Sequence, residues 1–271
     1  MRSVLVFLAI VCLAFGARNN PSSVSEIKER GVLRVAVYTD MPPFGYLDAN
    51  GRNQGYDIYF ARRFAKELLG DENKIEFVSV NPAARFDILL SGKADMLLAI
   101  LTVTDERKKI VDFASPYLRT AIGVISPRSG FVRNAEQLAG KKLIVIEGTT
   151  ADHYFTDNYP EIIVQRYADH ADAFGALEAG DGDAMASDRA MLATYTATHP
   201  DFFLGIATIG KPLPIAPAVR KGNRELRDWI NATLFKLGKE NFAHKAYEAT
   251  LKPFLGTDIS ADDFVVEGGM F

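Results

Sequence analysis

Short runs rich in Val, Ile, Leu and Ala recur along this chain, at Val32–Tyr38, Lys74–Val80, Asp95–Leu101, Ala121–Ser126, Lys142–Glu147, Ile162–Tyr167 and Asp183–Ser187. They read as strands. Between them the apolar spacing becomes helical: Ile58, Ala61, Phe64, Ala65 and Leu68 fall on one face of a period of about 3.6 residues, and Gly70 with Asp71 stop that helix. A second helical pattern starts over Arg107–Val111 and a third runs over Ala171–Ala179, ending at Gly180. Strand-helix-strand order predicts an α/β protein with mainly parallel sheets, right-handed crossovers and helices on both faces. Leu226, Trp229, Ile230, Leu234, Leu237, Phe242 and Tyr247 follow at broadly helical spacing and read as core packing. With 271 residues the chain is long enough for one large domain or two lobes. Two strand-ending segments, Gly92–Ala99 and Gly180–Ser187, recur in outline, and in doubly wound sheets ligands sit beyond the carboxyl ends of such strands.

Composition narrows the partners. Hydrophobic residues make up 48% and charged residues 24%, which excludes disorder, and a formal charge of −3 without a dense basic run argues against nucleic acid. Residues 1–17 carry Arg2, an apolar run from Val4 to Phe15, and small residues before a polar stretch that contains Asn19 and Asn20. This is the pattern of a secretory signal peptide, and the run is shorter than the ~20 apolar residues of a membrane span. Cleavage after Gly16 leaves small Ala14 at the third position back. The only cysteine, Cys12, lies in that segment, so the mature chain has neither disulfide nor thiolate chemistry. The expected location is periplasmic or otherwise extracytoplasmic.

Thr104 is placed to cap the helix that contains Arg107, with Asp105 and Glu106 in its first turn. Arg107 then lies near a strand's carboxyl end, where its guanidinium can hold a carboxylate while Thr102 adds a hydroxyl. Spacing alone leaves open an ion pair on a solvated helix face. Gly148, Thr149 and Thr150 follow a strand and precede a helix, which suits either an anion site or an ordinary capped turn. Asp188 either receives an ammonium group or caps the helix that begins near Arg189.

Enzymatic motifs are mostly absent. His153, His170, His199 and His244 form no metal-ligand spacing, and no Gly-x-x-x-x-Gly-Lys-Ser/Thr phosphate loop exists. Ser25-Glu26-Ile27-Lys28 matches Ser-x-x-Lys without the accompanying Lys-Thr-Gly, so Ser25 is read as the cap of the first helix. Asp181-Gly182-Asp183 opens like a calcium loop, but Leu192 stands where the bidentate Glu belongs. No cofactor and no metal are expected.

The segments Gly31–Asp48, Gly55–Leu68, Ser91–Tyr117, Ile146–Ala151 and Gly182–Asp188 together resemble the amino-acid-binding branch of the type II periplasmic solute-binding proteins, the receptors of ABC importers. The resemblance covers residues 24–256, and its most specific part is Thr-x-Thr-x-x-Arg followed by Asp-Phe-x-x-Pro-Tyr. It implies two lobes, the first about 24–119 plus 210–257 and the second about 120–209, with ligand in the cleft between them and a tail, 258–271, of no assigned role. Carried over by position, Arg107 and Thr102 bind an α-carboxylate, Thr150 beside Thr149 adds donors, and Asp188 binds the α-ammonium. The segment Val80–Arg85 is similar to one that supplies a second arginine in glutamate- and aspartate-binding members, which makes Arg85 the partner of a distal carboxylate.

Two guanidiniums in one cleft are costly without an anion between them, so the implied ligand is an acidic amino acid. Tyr38 and Ile100 stand at ligand-facing positions where relatives often carry Asp or Lys and Thr or Gly, and Phe44, Tyr56 and Tyr117 lie near the same strand ends. The implied function is a non-enzymatic, monomeric receptor that delivers its amino acid to a membrane permease. Another amino acid, a dicarboxylate, or a cyclohexadienyl dehydratase-like enzyme using Glu147 as general acid are the alternatives.

Overall fold

The computed structural model describes residues 22–255 and 260–270; the segment read as a signal peptide lies outside the described residues. The chain begins with α1 (Val24–Arg30), β1 (Leu33–Val37), and a small antiparallel sheet of β2 (Asp40–Met41), β3 (Gly45–Leu47) and β4 (Asn53–Gln54). There follow α2 (Tyr56–Leu69), β5 (Ile75–Ser79), α3 (Arg85–Leu90), β6 (Met96–Leu97), α4 (Asp105–Ile110), β7 (Val111–Phe113) and the long β8 (Leu118–Pro127). The middle of the chain runs β9 (Lys142–Ile146), α5 (Thr150–Asn158), β10 (Ile163–Tyr167), α6 (His170–Ala179), β11 (Ala184–Asp188) and α7 (Arg189–Thr198). Then come β12 (Phe202–Ile215), β13 (Ala218–Arg220), α8 (Arg224–Gly238), α9 (Phe242–Thr250) and α10 (Lys252–Leu255).

Two five-stranded sheets result, ordered β5-β1-β6-β13-β7 and β10-β9-β11-β8-β12. Each is parallel where helices connect its strands, β5-β1-β6 and β10-β9-β11, as crossovers require. The antiparallel members, β13 with β7 and β8 with β12, are those through which the chain passes between the sheets. Strands β8 and β12 pair from Phe202–Pro127 to Ile215–Leu118, so two neighbouring strands carry both connections. The molecule is a two-lobed α/β protein of this kind.

Local signals explain most boundaries. Gly70 ends α2 and Gly180 ends α6 in left-handed conformations, as their positions predict. The first helix departs from expectation: Ser23, not Ser25, is its cap, because Glu26 sits three residues later and completes a capping box with Ser23. The run expected as Asp95–Leu101 pairs only over Met96–Leu97, because Ile100 turns the chain with φ of 43°. Strand β12 has no clean sequence signal. It is interrupted by bulges, and at Gly205 an added Cβ would lie 1.8 Å from the Val132 carbonyl oxygen. Near the carboxyl end, Val265 bridges Leu118, the Arg119 N–H donates to the Phe264 carbonyl at 2.7 Å, and Phe264, Val265 and Val266 are buried.

Candidate functional site

The carboxyl ends of the strands of both sheets converge on one narrow crevice with a cavity volume of about 10 Å³. Tyr38 follows β1, Ile100 and Thr102 follow β6, Arg85 opens α3, and Arg107 is the third residue of α4, whose cap is Thr104. From the second sheet come Thr149, the cap of α5, Thr150, its first residue, and Asp188, the last residue of β11. All eight line the crevice, together with Met41, His170 and Ser187. His170 opens α6 just after β10. The strand-end rule that selects Gly148–Thr150 applies equally to that position.

Phe44, Tyr56 and Tyr117 do not reach the crevice. They are fully buried in the first lobe, where Tyr56 and Tyr117 stack at 5.8 Å between ring centroids. Their apolar bodies are worth more in the core than at a wet edge. Glu147 is exposed and is not among the lining residues.

Hydrogen bonds orient the cationic side. Arg107 Nη1 donates to the Thr102 carbonyl at 2.9 Å and Nη2 crosses the crevice to the Gly148 carbonyl at 3.1 Å. Arg85 Nη1 donates to the Tyr38 hydroxyl at 2.5 Å and Nη2 to the same Gly148 carbonyl at 3.3 Å. Burial and then the neighbouring Arg85 charge push Arg107 down to about 10, still a cation at neutral pH. Burial likewise raises the Tyr38 phenol. Thr149 has less to offer a ligand than its neighbour, since its hydroxyl donates to the Ile146 carbonyl at 2.8 Å and accepts from the Asp152 N–H.

The acidic side is less satisfied. Asp188 does not cap α7, and its Oδ1 is buried without a hydrogen-bond partner, as is Arg85 Nε, whereas His170 Nδ1 lies 3.4 Å from Asp40 Oδ2. Burial pushes Asp188 up to about 6, against the attraction of Arg107, His170 and Arg85. Next to the crevice, Asp40 accepts from the His170 N–H at 3.0 Å, and although burial opposes it, the contacts with His170 hold Asp40 below the usual carboxylate range. Buried polar groups without partners are expensive, and Asp188 Oδ1 and Arg85 Nε stand in the lining of one crevice. No group of His, Cys, Asp and Glu among the described residues could hold a metal ion.

Comparison with known proteins identifies the family. Residues 33–252 match the bacterial extracellular solute-binding proteins, family 3. The glutamine-binding protein GlnH of the ABC transporter of Bacillus subtilis is 31% identical over 91% of this chain and 93% of its own. Among solved structures, a cysteine-binding protein from Campylobacter jejuni superposes with a TM-score of 0.89 at 48% identity, over 90% of this chain and 98% of that one. The solute receptor for L-cysteine of Neisseria gonorrhoeae has the same TM-score at 42% identity, over 90% of this chain and 100% of its own.

Proposed function

The chain belongs to family 3 of the bacterial extracellular solute-binding proteins, and from that premise we propose that it captures L-cysteine, or a similarly small amino acid, between its lobes. It is an amino-acid receptor of an ABC importer, as its relatives are, and those relatives are binding proteins rather than enzymes. The observation that carries the ligand class is the opposition of charges: Arg107 on α4, beside the first sheet, and Asp188, with an unpartnered carboxylate oxygen, at the end of β11 in the second. In this reading Arg107, Thr102 and Thr150 take the α-carboxylate and Asp188 takes the α-ammonium, while Tyr38, Ile100 and Arg85 face the side chain. Neither lobe alone satisfies a zwitterion, so ligand favours the closed arrangement, and β8 with β12 act as the hinge.

A small ligand is supported by the names of the two solved relatives and by the narrow crevice, in which Arg85 already donates to Tyr38 and Gly148. The second reading is an acidic amino acid. It is favoured by Arg85 itself, a second buried guanidinium with an unpartnered Nε. Export through residues 1–17, lobes of 24–119 plus 210–257 and of 120–209, delivery to a permease and a monomeric state complete the proposal. Among the described residues no helix is long and apolar enough to cross a membrane.

A thermal-shift series on the chain without residues 1–16 tests it, with L-cysteine, L-glutamate, L-aspartate, L-glutamine and prephenate. Ligand at ~100 times its Kd adds about 2.7 kcal/mol to stability. Stabilisation by cysteine but not by the diacids is the expected result. The reverse would transfer the assignment to an acidic amino acid, and turnover of prephenate would replace the receptor by an enzyme.

A further inference from the structure

We propose that Asp57, which does not line the crevice, is a positioning residue for ligand binding: it holds the backbone of Ile100 in the left-handed turn that presents the loop after β6 to the ligand. The inference rests on the receptor reading above. Asp57 is the second residue of α2 and is completely buried. Its Oδ1 accepts the Tyr117 hydroxyl at 2.5 Å and its Oδ2 accepts the Ile100 N–H at 3.2 Å. Neither carboxylate oxygen has a basic side chain as hydrogen-bond partner, which is an unusual setting for an acid.

Ile100 has φ of 43° and lines the crevice. Among the described residues only one other non-glycine residue, Asn241, has positive φ, and asparagine tolerates that region whereas a β-branched side chain does not. Such a conformation persists only where the surroundings over-determine it. Here the chain is pinned on both sides of the turn. The Leu98 N–H donates to the Ala36 carbonyl at 2.9 Å, the Leu101 carbonyl accepts from the Ala216 N–H at 3.2 Å, and the Val103 N–H donates to the Pro214 carbonyl at 2.9 Å. Between these clamps the Ile100 amide has one partner, Asp57. Rotating that peptide would move Ile100 itself, which lines the crevice, so the hydrogen bond beneath the loop reaches the ligand through Ile100.

Burial pushes Asp57 up to about 7 against its two hydrogen bonds, so the carboxyl is retained at a cost to stability. A group kept at such a cost fits a role in the site better than a role in the core.

A double-mutant cycle separates the two roles. Asp57→Asn and Ile100→Gly are made singly and together, and binding of L-cysteine, with L-glutamate in parallel, is measured by calorimetry alongside the melting temperature. Asp57→Asn is expected to weaken binding about tenfold with Ile100 present, and less than about twofold in the Ile100→Gly background, because glycine adopts positive φ unaided. The loss of melting temperature is expected to be similar in both backgrounds. Equal loss of affinity in the two backgrounds, or no loss in either, overturns the role of Asp57. If Asp57→Asn does not fold, Tyr117→Phe removes one of the two hydrogen bonds to the carboxylate and is read in the same cycle, with the same pattern at smaller amplitude. Wild-type protein that binds no amino acid overturns the receptor reading itself, and with it the ligand-facing role of the loop.

Discussion

Two carboxylates at opposite ends of strands, Asp95 buried and Asp188 partly so, have opposite fates. Asp95 stands just before β6, at its amino end, and both oxygens are occupied: Oδ1 by Arg34 Nη2 at 2.9 Å, and Oδ2 by the Arg34 N–H at 2.9 Å and by Arg30. Asp188 ends β11 at the carboxyl side with Oδ1 unpartnered, although two guanidiniums lie across the same crevice. The molecule had arginines available to pair both acids and pairs only one directly. At the amino end charge is neutralised within the fold and serves stability. At the carboxyl end the charges are held apart, and the space between them is the proposed site. The satisfied pair is therefore expected to respond to mutation in folding, and the unsatisfied one in binding.

The sharpest break in that division comes from Arg107→Ala. Removing one buried charged partner of a ligand costs about 2–5 kcal/mol, so affinity for the amino acid is expected to fall by roughly 100-fold or more, while the melting temperature in the absence of ligand changes little. A large fall in melting temperature with binding intact would make Arg107 a structural residue. Asp95→Ala is the mirror image. It leaves Arg30 and Arg34 without their acid, and because both are partly solvated the loss is expected near 2–3 kcal/mol, read by urea denaturation, with affinity within about twofold of wild type.

A smaller and oppositely signed effect is expected at Asp188. Its carboxyl is raised from 3.8 to about 6, so the folded ligand-free protein binds this proton more tightly than the unfolded chain does. The resulting penalty is absent below about pH 4, grows as pH rises through that window, and is complete above about pH 6. Asp188→Asn removes it. The variant is expected to be more stable than wild type by about 2 kcal/mol at pH 7.5, to lose that advantage near pH 4, and to bind amino acids poorly. Destabilisation at pH 7.5 would mean that the acid is already well paired without ligand, and the contrast with Asp95 would fail.

The division also explains which parts of the molecule are legible in its sequence. Strands β1, β9 and β11 fall within or beside the runs marked by Val, Ile and Leu, because a strand buried on both faces needs a continuous apolar run, while the less buried edge strands β5 and β10 are marked by their β-branched and aromatic residues. Strand β12 escapes, since Gly205, Gly210, Pro212 and Pro214 break its pattern and it is held by pairing to β8 rather than by its own composition. The left-handed turn at Ile100 is invisible for a related reason: a β-branched residue gives no signal for a conformation imposed by Asp57 from forty-three positions away. Spacing alone left Arg107 and Asp188 with two roles each. Convergence on one crevice depends on strand order, which the motifs imply through resemblance and which periodicity does not encode. His170 was missed because a single histidine after a capping aspartate looks like any helix start.

The tail that sequence left without a role gives the smallest and most local test. Glu267 accepts the Ala243 and His244 N–H groups, both at 3.1 Å, and the His244 ring at 2.7 Å, which satisfies donors at the start of α9 that Asn241 does not cap. The hydrogen bond that the His244 ring donates to Glu267 raises the His244 pKa above 6.5, burial opposing, with further help from Asp262. For a base whose folded pKa is raised, the stabilisation is fully present below about 6.5 and is lost as pH climbs through the folded value. Glu267→Gln keeps an acceptor for the backbone and removes the charge. Its cost is expected near 1 kcal/mol at pH 5.5, shrinking at pH 9, with amino-acid affinity unchanged. This residue belongs with Asp95 on the satisfied side of the comparison. A loss of affinity without a loss of stability would place the tail instead with the crevice, acting through Tyr117, whose carbonyl accepts the Val266 N–H at 3.3 Å and whose hydroxyl meets Asp57.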